Sequence, residues 1–183
     1  MNTMDIKYKI TFYSNWHCGS GLSAGADVDL LVIKEKNGLP YVPGKTIKGL
    51  VREALTDIKE FSGKDINIDK LLGKQNTKEE EMKNGEIFFK NACIPESTAK
   101  EIIDADAAHY LYTAVSSTAI EEDGVAKDHS LRRMEVTIPC ELEGHIYNVP
   151  ESSKKDIEEA LKYIKRLGQN RNRGLGRCDI TLI

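Results

Sequence analysis

Apolar and polar residues follow two periods along this chain, one typical of strands and one typical of helices. Residues 6–13 alternate apolar and polar side chains, which is the pattern of a half-buried β-strand. Further segments with strand character lie at residues 28–33, 39–42, 85–94, 134–138, 141–147 and 178–183. Apolar residues recur at helical spacing from Ile47 to Ile58 and from Ile157 to Leu167. A shorter helix is predicted to start at residues 95–97.

Turn and capping residues predict where these elements begin and end. Asn37-Gly38 favours a hairpin between residues 28–33 and 39–42, because both residues tolerate positive φ. Pro43-Gly44 ends the second of these strands, so the first long helix is predicted to open at Lys45 or Thr46. Ser152 or Ser153 is predicted to cap the last helix, and Gly168 to end it.

The order of elements predicts an α+β fold of the ferredoxin-like (RRM-type) βαββαβ class. Two helices would pack on one face of a four-stranded sheet. The 183 residues are predicted to form a single domain, which is long enough to bury a core. Polar residues at about 62–84 are expected to form a surface insertion. A second insertion is expected at about 108–137, within which residues 109–127 lack a clear period.

Composition indicates an ordinary globular protein, with 40% hydrophobic and 30% charged residues. No apolar run reaches the roughly 18 residues that a membrane helix needs, and the N-terminal residues lack the apolar core of a signal peptide. A cytoplasmic protein without a membrane partner is therefore expected. The four cysteines form no CxxC pair, which favours reduced thiols over disulfides or a zinc site.

Basic residues are segregated, although the formal net charge is −3. Residues 162–177 contain six basic residues and no acidic one, and Lys45, Lys48 and Arg52 recur along one side of the first long helix. Cations near a helix N-terminus oppose the helix dipole, which suggests that an anion binds there. Ordinary solvated lysines are the alternative. Acidic runs lie elsewhere, at residues 79–81 and 121–123, so a basic groove on an acidic body is predicted.

The loop at residues 167–177 (LGQNRNRGLGR) has the composition of a phosphate-binding loop. Its glycines, Gly168, Gly174 and Gly176, permit close approach to a ligand, and its arginines, Arg171, Arg173 and Arg177, are forked donors. The loop follows a helix C-terminus and so lacks the helix N-terminal dipole of mononucleotide sites. This favours a polyanion backbone over a mononucleotide, and a glycine cap followed by a solvated turn is the alternative.

Three segments together resemble the RAMP superfamily, the repeat-associated proteins of CRISPR systems. Residues 39–52 (LPYVPGKTIKGLVR) resemble its proline-glycine signature, and residues 171–177 (RNRGLGR) resemble its glycine-rich loop. Residues 124–135 (GVAKDHSLRRME) are similar to the thumb hairpin of type III backbone subunits, so the region of about 108–137 is expected to be thumb-like. The chain is shorter than a typical subunit of this kind, and residues 121–123 are acidic where relatives often carry arginine.

The resemblance implies partners and a set of RNA-binding residues. The partners would be CRISPR guide RNA, complementary target RNA, other effector subunits and head-to-tail copies of the chain itself. The residues implied to bind RNA are His17, Lys45, Lys48, Arg52, Val125, Lys127, Arg132, Arg133, Gly168, Arg171, Arg173, Gly174, Gly176 and Arg177. His17 is expected either to stack on a base or to cap its loop, and Val125, Leu131 and Met134 would wedge between bases.

The resemblance also implies a catalytic aspartate in the loop before the proline-glycine signature. In type III backbone subunits such an aspartate cleaves bound target RNA. Counting back from residues 32–34 (VIK) places Asp29 on it, with Asp27 two residues earlier. A divalent cation, Mg²⁺ or Mn²⁺, would accompany this metal-dependent endoribonuclease activity. Alternatively, either aspartate caps a turn or the end of a strand.

Three other functions remain open at this stage. The chain could be a non-catalytic RAMP subunit that caps the filament, or a RAMP-type guide-processing endoribonuclease, which usually relies on a histidine. From a different class, it could be a ferredoxin-like module that binds small ligands or proteins.

Overall fold

The computed structural model describes residues 2–23, 28–74 and 85–183. The framework of the fold is an antiparallel sheet with two long helices packed against it. Along the chain the elements are β1 (Thr3–Phe12), β2 (Tyr41–Val42), α1 (Gly44–Ser62), α2 (Ile68–Leu72), β3 (Phe88–Phe89), β4 (Ala92–Cys93), α3 (Glu96–Asp104), β5 (Tyr112–Ser117), β6 (Arg132–Thr137), β7 (Glu141–Pro150), α4 (Lys154–Tyr163) and β8 (Cys178–Leu182). Short 3₁₀ turns precede β5 and α4.

The central strand β1 pairs with β7 on one side and with β8 on the other. The full strand order is β2-β4-β7-β1-β8, with β3 also paired to β7. The strands β1, β4, β7 and β8 of this sheet and the two helices packed on it follow the chain order β1, α1, β4, β7, α4, β8, and the predicted ferredoxin-like α+β fold is confirmed.

Alternation along the strands places one row of side chains in the core. Ile10 of β1 lies opposite Leu142 of β7 and Ile180 of β8, and all three are buried. This row belongs to the same apolar cluster as Val51 of α1 and Leu161 of α4. The polar residues between them in sequence face the other side of the sheet.

A separate hairpin projects from this framework. Strands β5 and β6 pair from Tyr112–Thr137 at the base to Ser117–Arg132 near the tip, and they form a sheet of their own. The base is joined to the loop after β1 by backbone hydrogen bonds in both directions between Trp16 and Thr137. The region that lacked a clear period in the sequence is thus a two-stranded hairpin.

Several boundaries differ from the sequence-based predictions. Residues 28–33 form isolated bridges to Gly19 and Met134 instead of a continuous strand, because they lie between the loop after β1 and strand β6. The predicted turn at Asn37-Gly38 is present, with Gly38 at φ 81°. Residues 85–94 form two short strands instead of one. The first, β3, pairs with β7, and the second, β4, pairs with β2.

Helix boundaries differ as well. Residues 62–74 include α2, whose Leu71 and Leu72 are buried, so this part of the predicted polar insertion belongs to the packed fold. The rest of that insertion, residues 75–84, lies outside the described residues. Helix α4 ends at Tyr163, before Gly168, because Ile164 is already extended. Among the described residues, no helix combines the length and apolar character that crossing a bilayer requires.

Candidate RNA-binding site

A cleft of about 430 Å³ lies where three segments meet, and we call it the α1 cleft. The segments are the loop after β1, the first turns of α1 and the loop between α4 and β8. They contribute His17 and Gly19, Lys45 and Thr46, and Gly168 and Arg171, respectively. The proline-glycine segment and the glycine-rich loop, far apart in the sequence, therefore form the walls of one cleft.

Glycines allow the glycine-rich loop to approach the loop after β1. Gly168 has φ 96°, and a Cβ added there would lie 2.5 Å from the carbonyl oxygen of His17. The adjacent Gln169 N–H donates to that same carbonyl at 2.8 Å. Gly176 has φ 68°, and a Cβ there would overlap the carbonyl oxygen of Leu167. Both positions therefore require glycine for conformational and for steric reasons.

Helix α1 presents its N-terminal turn to the cleft through Lys45 and Thr46. The 19-residue helix begins directly after Pro43, so its dipole places partial positive charge there. The glycine-rich loop was expected to lie away from any helix N-terminus. That expectation was wrong, because the loop shares its cleft with the N-terminal turn of α1. A different helix supplies that dipole, which adds to the positive charge of Lys45.

Arg171 is the arginine of the loop that lines the cleft, and it is held by Glu53 of α1. Its two terminal nitrogens donate to the two carboxylate oxygens of Glu53 at 2.8 and 3.1 Å. This pairing raises the pKa of Arg171 above its usual value. A guanidinium has five N–H donors, so the group retains donors for a second anion.

His17 is buried in the wall of the α1 cleft rather than exposed on its surface. Its ring is 1% exposed, and Nδ1 lies 2.6 Å from the carbonyl oxygen of Glu135. The expectation that His17 stacks on a base is therefore wrong for this conformation, because neither ring face is open to a base. The ring nitrogen Nδ1 instead ties the loop after β1 to strand β6.

Asp29 is exposed beside strand β6, near the tip end of the paired part of the hairpin, and it binds the backbone of that strand. Its Oδ2 accepts a hydrogen bond from the Arg133 N–H at 2.7 Å, and its own N–H donates to the Arg133 carbonyl at 2.9 Å. Asp27 lies outside the described residues. Asp29 therefore caps a strand backbone, as the alternative in the sequence analysis proposed, while its carboxylate still faces solvent.

Within the part of the chain that the structure describes, Asp29 belongs to no cluster of ligands that could hold a metal ion by itself. Among residues 2–23, 28–74 and 85–183, no three His, Cys, Asp or Glu side chains lie close enough to hold one. A Mg²⁺ ion is usually bound through one or two carboxylates, with water and substrate phosphates completing its shell, so a metal at Asp29 would have to share its shell with bound RNA. We therefore assign no step to a metal in this site.

The hairpin carries exposed apolar side chains far from the core. Ile120, Val125 and Leu131 are between 61% and 69% exposed. Met134, which was expected to join them in a wedge, is buried at the base instead, because it lies beside Leu30 and the Asn170 side chain. The implied RNA-binding residues Lys127, Arg132 and Arg133 are exposed on the same hairpin.

Comparison with known proteins identifies the family of this chain. The family model of the RAMP superfamily matches residues 9–179. The chain belongs to the RAMP superfamily. Among curated proteins, none matches the sequence significantly.

Solved structures share the fold of this RAMP chain. A chain in the cryo-EM structure of the Type III-B Cmr-beta bound to cognate target RNA is 14% identical, with a TM-score of 0.74. The aligned region covers 98% of this chain and 97% of that one. A chain in the apo state of the Type III-B Cmr-beta is similar, with a TM-score of 0.73, 14% identity and the same coverage. At this identity the likeness shows the fold.

The structure divides the basic stripe predicted on α1. Lys45 lines the α1 cleft, whereas Arg52 faces α2, where it donates to Asp69 at 3.1 Å and to the carbonyls of Leu72 and Gly73. Lys48 lies beside Arg52, and burial together with that neighbouring charge lowers its pKa. Arg52 therefore joins α1 to α2, and we leave it out of the candidate site because its guanidinium is directed at α2 and does not line the cleft.

Three other residues of the RAMP glycine-rich loop that were implied to bind RNA are not part of the lining of the cleft. Arg173 and Gly174 lie in the exposed turn of the loop. Arg177 lies over the ring of Tyr13, 5.6 Å from its centroid, at the start of β8. Of the three arginines that the sequence grouped together, the cleft is lined by Arg171.

Glu135 joins the separate parts of the site, although no role was predicted for it from the sequence. Its carboxylate accepts from the Val32 N–H at 3.0 Å and from Lys34 at 2.7 Å, while its carbonyl is the partner of His17. Lys34 also lies 3.9 Å from the ring centroid of Tyr112. A single acid next to the basic residues of a strand carries no sequence signal for this role, since its partners are 101 to 118 residues away.

Proposed function

We propose that this RAMP chain is a subunit of a type III CRISPR effector complex and binds guide RNA along the α1 cleft. The observation that carries the proposal is the meeting of Lys45, Arg171 and the N-terminal turn of α1 around one cleft. The occurrence of the same fold in the Type III-B Cmr-beta bound to cognate target RNA supports it.

The chemistry of the α1 cleft suits the RNA backbone better than the bases. Lys45 and Arg171 donate to anions without distinguishing one nucleotide from another. Cys18, which also lines the cleft, adds no negative charge, because burial raises its pKa to about 12. Guide binding would therefore depend on phosphate positions and on salt, with little dependence on sequence.

In this proposal the exposed apolar tip of the hairpin inserts between bases. Ile120, Val125 and Leu131 extend beyond the body, where water surrounds them in the isolated chain. Apolar side chains of this kind can separate stacked bases and so recover buried area. The acidic residues 121–123 at the same tip would repel phosphates, so we expect contact with bases there.

Asp29 is the proposed cleaving residue for target RNA. Its carboxylate is exposed and binds the backbone of Arg133, one of the residues implied to bind RNA. Such a group can act as a general base toward a 2′-hydroxyl. A non-catalytic capping subunit is the second candidate, and it is favoured by the hydrogen bond that Asp29 accepts from Arg133.

The proposed assembly is a head-to-tail row of copies along the guide, together with other effector subunits. Head-to-tail contacts do not close, so the number of copies should follow the length of the RNA. Reconstitution with guide RNAs of increasing length should give complexes whose mass rises in steps. A complex of constant mass, or a chain that binds no RNA, would contradict the proposal.

The cleavage role can be separated from binding by two conservative variants. Asp29→Asn keeps an acceptor for the Arg133 N–H but removes the charge, and Asp29→Ala removes both. Both should reduce target cleavage about 100-fold or more, while guide binding stays the same. Asp27→Ala serves as the matched control, and a chelator tests the predicted need for Mg²⁺ or Mn²⁺. Full cleavage by Asp29→Asn would show that another residue cuts the target, and absence of cleavage by the wild-type chain would leave it as a capping subunit.

A further inference from the structure

The two ring nitrogens of His17 have different roles because of what each one faces. Nδ1 lies 2.6 Å from the carbonyl oxygen of Glu135, and a carbonyl can only accept a hydrogen bond. Nδ1 must therefore carry the hydrogen and donate it. In a neutral imidazole the other nitrogen, Nε2, is then an acceptor with a free lone pair.

Nε2 of His17 lacks the partner that a buried acceptor normally has. It is buried, and it forms no hydrogen bond with any atom of residues 2–23, 28–74 and 85–183. Most buried polar side-chain atoms in proteins are hydrogen-bonded, so an exception of this kind indicates a missing partner. Because His17 lines the α1 cleft, a ligand in that cleft is the nearest source of a donor.

Gly19 lies against Nε2 in the wall of the cleft. A Cβ added at Gly19 would lie 3.1 Å from Nε2, so any other residue would place a carbon against the lone pair. Gly19 itself is exposed and lines the cleft. Nε2 is covered before a ligand binds, and a small shift at this glycine, which has no side chain to move, would open it.

We propose that Nε2 of His17 accepts a hydrogen bond from a ribose 2′-hydroxyl and so selects RNA over DNA. This inference rests on the proposed binding of an RNA backbone in the α1 cleft. Phosphate oxygens and the ring oxygen of the sugar only accept hydrogen bonds. The 2′-hydroxyl is therefore the one donor in an internal RNA backbone, and DNA lacks it. Lys45 and Arg171 would hold neighbouring phosphates, which both nucleic acids share.

The test compares three probes of one base on the full chain. Fluorescent oligouridine, oligodeoxyuridine and 2′-fluoro-oligouridine are titrated, the last because it keeps the sugar pucker of RNA but has no 2′ donor. Loss of one hydrogen bond to a buried acceptor corresponds to about a tenfold change in affinity. The wild-type chain should bind oligouridine about tenfold more tightly than either of the other two probes.

Two variants remove the acceptor by different routes. His17→Asn keeps an N–H that can reach the Glu135 carbonyl but has no atom at the position of Nε2. Gly19→Ala keeps His17 and covers Nε2 with a methyl group. Each should lower the preference for oligouridine over oligodeoxyuridine to about twofold or less. Should His17→Asn fail to fold, Gly19→Ala alone decides.

The alternative outcomes identify which step is wrong. An undiminished RNA preference in a folded Gly19→Ala chain overturns the role of Nε2, as does equal wild-type binding of oligouridine and its 2′-fluoro analogue. Equal binding of oligouridine and oligodeoxyuridine by the wild type would also overturn it while leaving backbone binding intact. Failure to bind any of the three probes would instead overturn the proposed function, and the inference with it.

Discussion

The α1 cleft and the hairpin tip (residues 118–131) are built in opposite ways. The cleft residues are fixed to the core by contacts such as the clamp of Gly168 on His17 and the pairing of Arg171 with Glu53. The tip is held by local bonds, such as those from Ser130 to Thr118 and Lys127, and it exposes Val125 to water. The difference indicates a preorganised site in the cleft and a surface at the tip that lacks its partner.

Two glycines with similar backbone angles provide the strongest contrast between these regions. Gly176 in the cleft loop has φ 68°, and Gly124 in the tip has φ 84°. A Cβ at Gly176 would overlap the Leu167 carbonyl, whereas none of the described atoms lies within 4 Å of a Cβ at Gly124. Gly176→Ala should therefore lower stability by about 3 kcal/mol, and Gly124→Ala by about 1 kcal/mol.

Thermal unfolding measures this difference directly. For a chain of this size, about 1 kcal/mol corresponds to a shift of about 2–4 °C in Tm. Gly176→Ala should therefore lower Tm by about 6–12 °C, and Gly124→Ala by about 2–4 °C. Equal shifts would show that backbone angle alone matters and that the close approach in the cleft loop adds nothing.

Glu135 connects the two regions, so its loss should have the next largest effect. Glu135→Ala leaves the Val32 N–H without its acceptor and removes the ion pair with Lys34, which should lower the free energy of unfolding by about 1–3 kcal/mol. Glu135→Gln keeps an acceptor for Val32 and should lose less than about 1 kcal/mol. Denaturant unfolding of both variants provides the check, and equal losses would assign the effect to the ion pair instead.

The elements with strong local periods were predictable from the sequence. The apolar face of α1, including Ile47 and Val51, is buried as predicted, and so is the alternating face of β1. The hairpin at 112–137 was not recognisable locally, because β5 exposes residues on both faces and so has no apolar alternation. Its strands are specified by pairing with each other and by the contact with Trp16.

Parts of the candidate site could be predicted where the type of a residue determines what it does. They could not be predicted where a distant partner determines it. The proline-glycine segment and the glycine-rich loop were identified by their resemblance to signatures of the RAMP superfamily. The different roles of Lys45 and Arg52 depend on α2, which lies 16 or more residues further along the chain. The burial of His17 depends on β6, which is more than 100 residues away.

The smallest effect is expected at Glu53, the acid that holds Arg171 in the cleft. The pair is partly exposed, so Glu53→Gln should leave stability almost unchanged. Removing a negative charge beside bound phosphates should tighten RNA binding about twofold at low salt. Fluorescence titration against Asp57→Asn, a neutralised acid one turn further along α1, tests the effect. Weaker binding by Glu53→Gln would mean that Glu53 mainly orients Arg171 for its ligand.

The central claim is that the α1 cleft binds an RNA backbone, and the salt dependence of binding tests it most directly. In Lys45→Ala/Arg171→Ala, the slope of log affinity against log salt should fall by about 1.4, since each lost phosphate contact on single-stranded RNA removes about 0.7. The matched control, Lys100→Ala/Lys155→Ala, removes the same charge from exposed helix positions away from the cleft. It should leave the slope almost unchanged. A slope that is the same in wild type and the cleft variant, or that falls equally in the control, would contradict the account.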